Sequence, residues 1–231
     1  MNHTVRRISV LIIALISATL ACGPPLATVP PAPTSPAPTS PPLGVTPLVT
    51  PDPYRRGGGL PPERSERVAA LIKDVSEANL MAHVEALAAI PSRHVNSLTI
   101  REAASLIHSR FEEADGNLIT AYEQFPLSYN GVNTMQVNVI ATLPGSEPSA
   151  GTVLVGAHYD SRTTDIHDAE SAAPGTDDNA TGVAALLEMA RLLSQHTPRT
   201  TVVFAAFSAE EIGAWGSKHT VQAMSQRGDV I

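Results

Sequence analysis

The sequence predicts an α/β fold with a mixed, mainly parallel central sheet that is flanked by helices on both faces. Residues 152–157 and 200–207 are almost continuously apolar, as strands that are covered on both faces usually are. Between them, residues 180–193 carry apolar side chains at helical spacing. A helix that connects two buried strands is typical of a layered α/β domain with parallel strand pairs.

The other elements follow from the same periodicities. Apolar residues at helical spacing predict two short helices, from Arg64 to Val75 and from Leu80 until Pro91 ends the second one, and a third helix over 100–114. Strands are predicted over 119–125 and 135–143, where apolar and polar residues alternate in the second segment.

Composition and charge narrow the function classes. The 231-residue chain has 43% hydrophobic residues and a net charge of -7, with 15 Lys and Arg against 22 Asp and Glu. This length suits one medium domain with appendages. We expect no nucleic-acid partner, because phosphate recognition needs a clustered basic surface. The acidic balance leaves carboxylates available for metal ions.

The N-terminal third predicts export. Residues 1–21 have a basic start followed by a short apolar run, as in a secretory signal peptide. Residues 22–62 are rich in Pro, Thr and Ser, a composition that favours a disordered, extended tether. The folded domain is therefore predicted over residues 63–231.

The single cysteine, Cys22, follows Ala21 directly after this signal, which resembles a bacterial lipoprotein cleavage site. We expect lipidation of Cys22 rather than burial as an apolar filler, because the residue lies outside any packed segment. The protein is then an exported protein of the cell envelope, anchored to the membrane through its N-terminal lipid, or is secreted.

Three polar clusters adjoin the two buried strands and the helix between them. They are residues 156–161 (GAHYDS), 174–182 (PGTDDNATG) and 208–213 (SAEEIG). Loops that leave the carboxyl ends of parallel strands meet at one sheet edge, where α/β proteins bind ligands. We therefore expect the three clusters to converge.

The residue types in these clusters predict a metal-dependent hydrolase. Imidazole and carboxylate groups are zinc ligands, so His158, Asp178 and one of Glu210 and Glu211 are the candidates. The other glutamate could act as the general base that deprotonates water. Asp160 lies two residues after His158, on the same side of an extended chain, and could accept the second imidazole N–H.

A capping function is the alternative for each cluster taken singly. Asp177 and Asp178 precede a helix, where Asp is a common N-cap, and Glu210 and Glu211 could favour the positive end of a following helix. Each capping account explains one cluster, whereas a metal site explains why all three occur at one sheet edge.

Residues 153–216 closely resemble the M28 zinc peptidases, which include bacterial leucyl-type aminopeptidases, through the three motifs given above. The resemblance implies a zinc-exopeptidase-like three-layer sandwich and two zinc ions. It also implies that His158 binds the first zinc, Asp178 bridges both, Glu211 binds the second and Glu210 is the general base. A cis peptide bond between Asp178 and Asn179 is implied as well.

The function implied by this resemblance is aminopeptidase activity, the hydrolysis of N-terminal residues from peptides by metal-activated water. The family's later Asp and His ligands would follow Ile231, so we expect a C-terminally truncated domain that is incomplete in its sheet, binds zinc weakly and has little activity alone. Two alternatives stay open: a glutaminyl-cyclase-like acyltransferase with a single zinc, and an inactive lipoprotein domain. The ligand set would also accept cobalt or manganese.

Overall fold

The computed structural model of the protein describes residues 62–114 and 116–229. The predicted signal peptide, nearly all of the predicted tether and Cys22 lie outside these residues. The elements are α1 (Pro62–Lys73), α2 (Glu77–Ala88), α3 (Ile100–Glu113), β1 (Ile119–Tyr129), β2 (Val132–Leu143), β3 (Thr152–His158), α4 (Thr181–Ser194), β4 (Thr201–Phe207) and α5 (Trp215–Arg227).

Helices α1 to α4 form where the periodicity predicted them, and local chemistry sets their ends, whereas α5 was not predicted from periodicity. The hydroxyl of Ser76 accepts a hydrogen bond from the backbone N–H of Asn79 at 3.2 Å and caps the start of α2. This helix ends at Ala88, ahead of Pro91, which has no N–H to continue it. In the part of the chain that the structure describes, no helix is both long and apolar enough to cross a bilayer.

The sheet has four strands in the order β1-β2-β4-β3. Strands β3 and β4 are parallel, whereas β1 pairs with β2 and β2 pairs with β4 in antiparallel fashion. The predicted α/β class and the mixed sheet are confirmed, but the parallel share is smaller than predicted. The reason is local: Asn130 and Gly131, at φ 50° and 75°, form a two-residue turn that returns β2 alongside β1.

Helices cover both faces of the sheet, as predicted. Val139, Ala141 and Leu143 of β2 point to one face and pack in the main core with residues of α3 and α4. The neighbouring Asn138 points to the opposite face, where its amide donates to the carbonyl of Gly216 at 2.9 Å and to Thr220 Oγ1 at 3.0 Å, both in α5. The architecture is therefore a three-layer sandwich.

The parallel pair β3 and β4 determines where the polar clusters meet. His158 is the register partner of Phe207, so both strands end side by side. Gly156 permits this close approach, because a Cβ atom at its position would lie 2.3 Å from the ring of Phe207. The segments that follow the two strands consequently leave the sheet at the same edge.

Candidate metal centre

His158, at the end of β3, is the centre of the candidate site. Its Nδ1 lies 3.2 Å from the backbone oxygen of Asp160 and 3.6 Å from Asp160 Oδ1. Its Nε2 faces the other way, 3.1 Å from Asp178 Oδ1 and 3.8 Å from Glu210 Oε2. A neutral imidazole that donates from Nδ1 to Asp160 presents the Nε2 lone pair to a metal ion.

The charge around His158 favours a cation. Burial alone would lower its pKa, but the carboxylates of Asp160, Glu210 and Asp178 outweigh burial and raise the pKa of His158 to about 9. The surroundings of His158 therefore favour positive charge at this position. A bound metal ion would supply that charge in place of a proton, since imidazole coordinates metals in its neutral form.

Asp178 reaches this site from the turn Thr176–Ala180, which precedes α4. The peptide bond between Asp178 and Asn179 is cis, as the family resemblance implied. The capping alternative is not observed, because α4 has Ala180 at its N-cap without a side-chain cap. The side chain of Asp178 is 76% exposed and points to His158 instead.

Glu210 and Glu211 are held by the carboxylate of Asp160. This buried side chain accepts from the backbone N–H of Glu210 at 3.0 Å and from that of Glu211 at 3.1 Å. Asp160 thus contacts His158 and also orients the segment after β4. Capping is not observed here either, because α5 begins only at Trp215, with Ala214 as an N-cap that has no side-chain cap.

Three of the predicted ligands come together around one point. One ligand atom each of His158, Asp178 and Glu211 lies within 4.8 Å of the others. One imidazole and two carboxylates match the donors that zinc accepts, and three protein ligands are the number that a catalytic zinc takes. Glu210 stands beside this group with its side chain 47% exposed. The individual roles of these residues stay predictions.

Sequence reasoning missed two arginines at this site. Arg162 donates from Nε to Glu211 Oε2 at 2.8 Å. Burial raises the pKa of the Glu211 carboxyl, while Arg162 opposes that rise and Asp178 adds to it. Arg93, in the loop after α2, is fully buried next to the same segments. Nothing in the local sequence signals either contact, because both depend on where distant loops meet.

Known proteins are similar to this chain in sequence and in fold. Residues 138–230 match the family model described as Peptidase family M28. A probable zinc metalloprotease of Pyrenophora tritici-repentis is 32% identical over 178 residues, which cover 71% of this chain and 37% of the relative. The chain therefore spans less than half the length of this relative.

Two solved structures share the fold. The LapA aminopeptidase of Legionella pneumophila has a TM-score of 0.60 at 22% identity, over 72% of this chain and 44% of that chain. A glutaminyl cyclase of Fimbriiglobus ruber has a TM-score of 0.56 at 18% identity, over 66% of this chain and 56% of that chain.

The layered sheet and the histidine–carboxylate cluster at the ends of β3 and β4 define a protein of the zinc-exopeptidase fold class. Within that class, residues 138–230 match peptidase family M28, and the similar proteins include a probable zinc metalloprotease. The family implies zinc as the metal.

Proposed function

We propose that the protein is a zinc-dependent exopeptidase, an aminopeptidase that hydrolyses N-terminal residues from peptides. The observation that supports this most directly is the convergence of His158, Asp178 and Glu211 within 4.8 Å, with the half-exposed carboxylate of Glu210 3.8 Å from the His158 ring. The match of residues 138–230 to the M28 family model and the fold shared with a LapA aminopeptidase support the same reaction class.

The site residues have different roles in the proposed reaction. His158, Asp178 and Glu211 would hold the metal. When bound, zinc supplies a Lewis acid for the scissile carbonyl and lowers the pKa of water. Glu210 is outside the converging donor group and is accessible to solvent, so it takes the proton from the attacking water and passes it to the leaving amine. Asp160 holds the backbone of Glu210 in place.

The proposed cofactor is a pair of zinc ions, and Asp178 is the carboxylate that would help to hold both. Asp178 is the ligand best placed for this, because its exposed carboxylate extends from the turn into the space beside His158.

Aminoacyl-anilide substrates test the proposed activity. Turnover by the zinc-loaded chain, which we expect to be low, should be confined to substrates with a free N-terminus and should be absent with N-acetylated versions. Dialysis against a chelator should abolish turnover, and added zinc should restore it. No turnover in a sample that retains stoichiometric zinc would overturn the proposal and favour an inactive binding domain.

A glutaminyl-cyclase-like acyltransferase is the second candidate. Two observations favour it: the fold shared with a glutaminyl cyclase and the presence, within the described residues, of one three-donor cluster, which suffices for a single zinc. A peptide with N-terminal glutamine separates the two candidates. Cyclisation with loss of ammonia identifies the acyltransferase, whereas release of free glutamine identifies the peptidase.

The proposed location is the cell envelope, with the chain attached to the membrane by a lipid on Cys22. The motif around Cys22 is the support for this. Expression of the full chain and of its Cys22→Ser variant in a bacterium tests it, since only the parent should fractionate with membranes. Equal fractionation of the two proteins would contradict lipidation.

A further inference from the structure

Arg93 is a fully buried cation whose side-chain hydrogen bonds, within the described residues, all go to backbone carbonyls. Its Nε donates to Tyr159 O at 2.6 Å, and its Nη1 donates to Leu87 O at 2.9 Å and to Pro174 O at 2.6 Å. Its Nη2 donates to Gly175 O at 3.0 Å. One planar group with five donors therefore joins three separate segments of the chain.

Two of these segments carry the proposed metal ligands. Tyr159 is the residue directly after His158, and Gly175 opens the turn that carries Asp178. The turn is packed tightly on the guanidinium: Gly175 has φ 45°, and a Cβ atom there would lie 2.8 Å from Arg93 Nη2 and 2.6 Å from Asp178 O. The position of the turn relative to β3 therefore depends on Arg93.

Ser161 also links the segments that Arg93 joins. The N–H of Ser161 donates to Arg93 O at 3.2 Å, and the hydroxyl of Ser161 donates to Ala173 O at 2.6 Å. The loop after α2, the end of β3 and the segment before Thr176 are thus linked side by side. These hydrogen bonds hold together the three segments that lie beneath the proposed metal site.

Asp160 complements Arg93 in charge and in position. Both side chains are fully buried, yet they form no direct ion pair within 4.0 Å in the part of the chain that the structure describes. Burial lowers the pKa of Arg93, and the nearby Asp160 opposes that shift. Arg93 binds the segments of His158 and Asp178, while Asp160 binds the amides of Glu210 and Glu211. Together the two buried charges fix all three motifs.

We propose that Arg93 is a positioning residue, which sets the separation of His158 and Asp178 and so preorganises the metal site. The inference rests on the metal-ligand roles in the proposed function. If Arg93 served stability alone, its replacement would lower the stability of the fold and would not separately change metal binding.

The test compares Arg93→Met and Arg93→Lys with the matched control Arg191→Met. Arg191 also bonds a backbone carbonyl, Asp74 O, together with Glu188, but it lies in the second half of α4, away from the metal donors. Affinity for cobalt is measured by competition with a chromophoric chelator, the visible spectrum of bound cobalt reports ligand geometry, and thermal unfolding reports stability.

Arg93→Met should weaken cobalt binding about 10- to 100-fold, as loss of groups that orient metal ligands does, and should alter the cobalt spectrum. Arg93→Lys keeps the charge without the planar fork, so its affinity should fall between that of the parent and that of Arg93→Met. Arg191→Met should lower the melting temperature with affinity and spectrum unchanged. Equal affinities and spectra in Arg93→Met and Arg191→Met would overturn the inference.

Hydrogen exchange provides a second readout that needs no metal. In Arg93→Met, or in Arg93→Lys if the first variant does not fold, amides of 158–162 and 173–180 should exchange faster while those of β1 and α5 stay unchanged. Uniform acceleration over the whole domain would overturn the inference. A parent chain that binds no cobalt would instead refute the proposed metal site, and exchange alone would then decide the role of Arg93.

Discussion

Asp178, in the turn before α4, and Glu188, in the middle of α4, are carboxylates in opposite surroundings. Glu188, whose side chain is 3% exposed, accepts from Ser76 N at 2.7 Å, from Asn79 Nδ2 at 3.4 Å and from Arg191 at 2.8 and 2.7 Å. The carboxylate of Asp178, 76% exposed, has only the ring of His158 as a partner within the described residues.

The difference separates a structural carboxylate from a chemical one. Four donors satisfy Glu188, so that its charge anchors α2 to α4. Around His158, several carboxylates share one imidazole, and this excess of negative charge is what a divalent cation would neutralise. Substitutions at the site edge should therefore affect chemistry more than folding, and substitutions at Glu188 should do the reverse.

Glu210→Gln should give the largest functional effect. Loss of the proposed general base should lower kcat/KM by about 10²- to 10⁴-fold, while zinc affinity and melting temperature stay close to those of the parent, because Glu210 is outside the donor group. Steady-state kinetics with an aminoacyl-anilide and a zinc titration measure both quantities. The exposed Glu170 provides the matched control, Glu170→Gln, with parental kinetics. Weakened zinc binding in Glu210→Gln would instead make Glu210 a ligand.

Asp178→Asn should remove the coupling between zinc and stability. At free zinc 100 times above the dissociation constant, binding to the folded state stabilises it by about 2.7 kcal/mol. Thermal unfolding with and without zinc should show this stabilisation in the parent and in Asp177→Asn, whose side chain is not among the converging donors. If zinc stabilises Asp178→Asn as much as the parent, Asp178 is not a ligand.

Asp160→Asn should change both metal binding and stability, because Asp160 is buried in the core and also orients the residues of the metal site. The amide has one acceptor oxygen, so its NH₂ group would confront one of the two backbone N–H groups that the carboxylate now accepts. We expect metal affinity to fall about 10- to 100-fold. Asp168 also accepts from two backbone N–H groups, of Glu170 and Ser171, but in a loop outside the donor cluster. Asp168→Asn should therefore leave metal affinity unchanged, and a similar result for both variants would contradict the role of Asp160.

The sequence predicted those features that depend on local pattern. The elements around the site follow from apolar periodicity. His158, Asp178 and one of Glu210 and Glu211 could be named because they follow strands or precede a helix, which brings them to one edge, and the family resemblance implied that Glu211 is the ligand of the two. The proportion of parallel strand pairs was overestimated, because the pattern of apolar residues does not include the turn at Asn130 that makes β1 and β2 antiparallel.

Arg93 and Arg162 show what local pattern does not contain. The partners of Arg93 are up to 82 residues away in sequence, and Arg162 reaches across 49 residues to Glu211. Both side chains stand in loops whose course is fixed by tertiary packing, and a single arginine in a loop is usually a solvated surface residue. Their roles become visible only once the loops are placed.

Glu188→Gln should remove the part of the unfolding free energy that the parent loses at acidic pH, and it should leave metal binding unchanged. Hydrogen bonds from Arg191, Ser76 and Asn79 outweigh burial and lower the pKa of Glu188 from its ordinary value of 4.5 to about 2. The resulting stabilisation is present above pH 4.5 and is lost as the pH falls from there toward 2.

Replacing Glu188 by glutamine should cost about 1.5 kcal/mol of unfolding free energy at neutral pH, and the parent and variant curves should converge as the pH approaches 2. Urea unfolding at a series of pH values measures this, with the exposed Glu102→Gln in α3 as the control that follows the parent. A constant gap between parent and Glu188→Gln down to pH 2 would mean that Glu188 stabilises by packing. Weaker cobalt binding in Glu188→Gln would contradict the contrast between a chemical role for the turn before α4 and a structural role for the middle of α4.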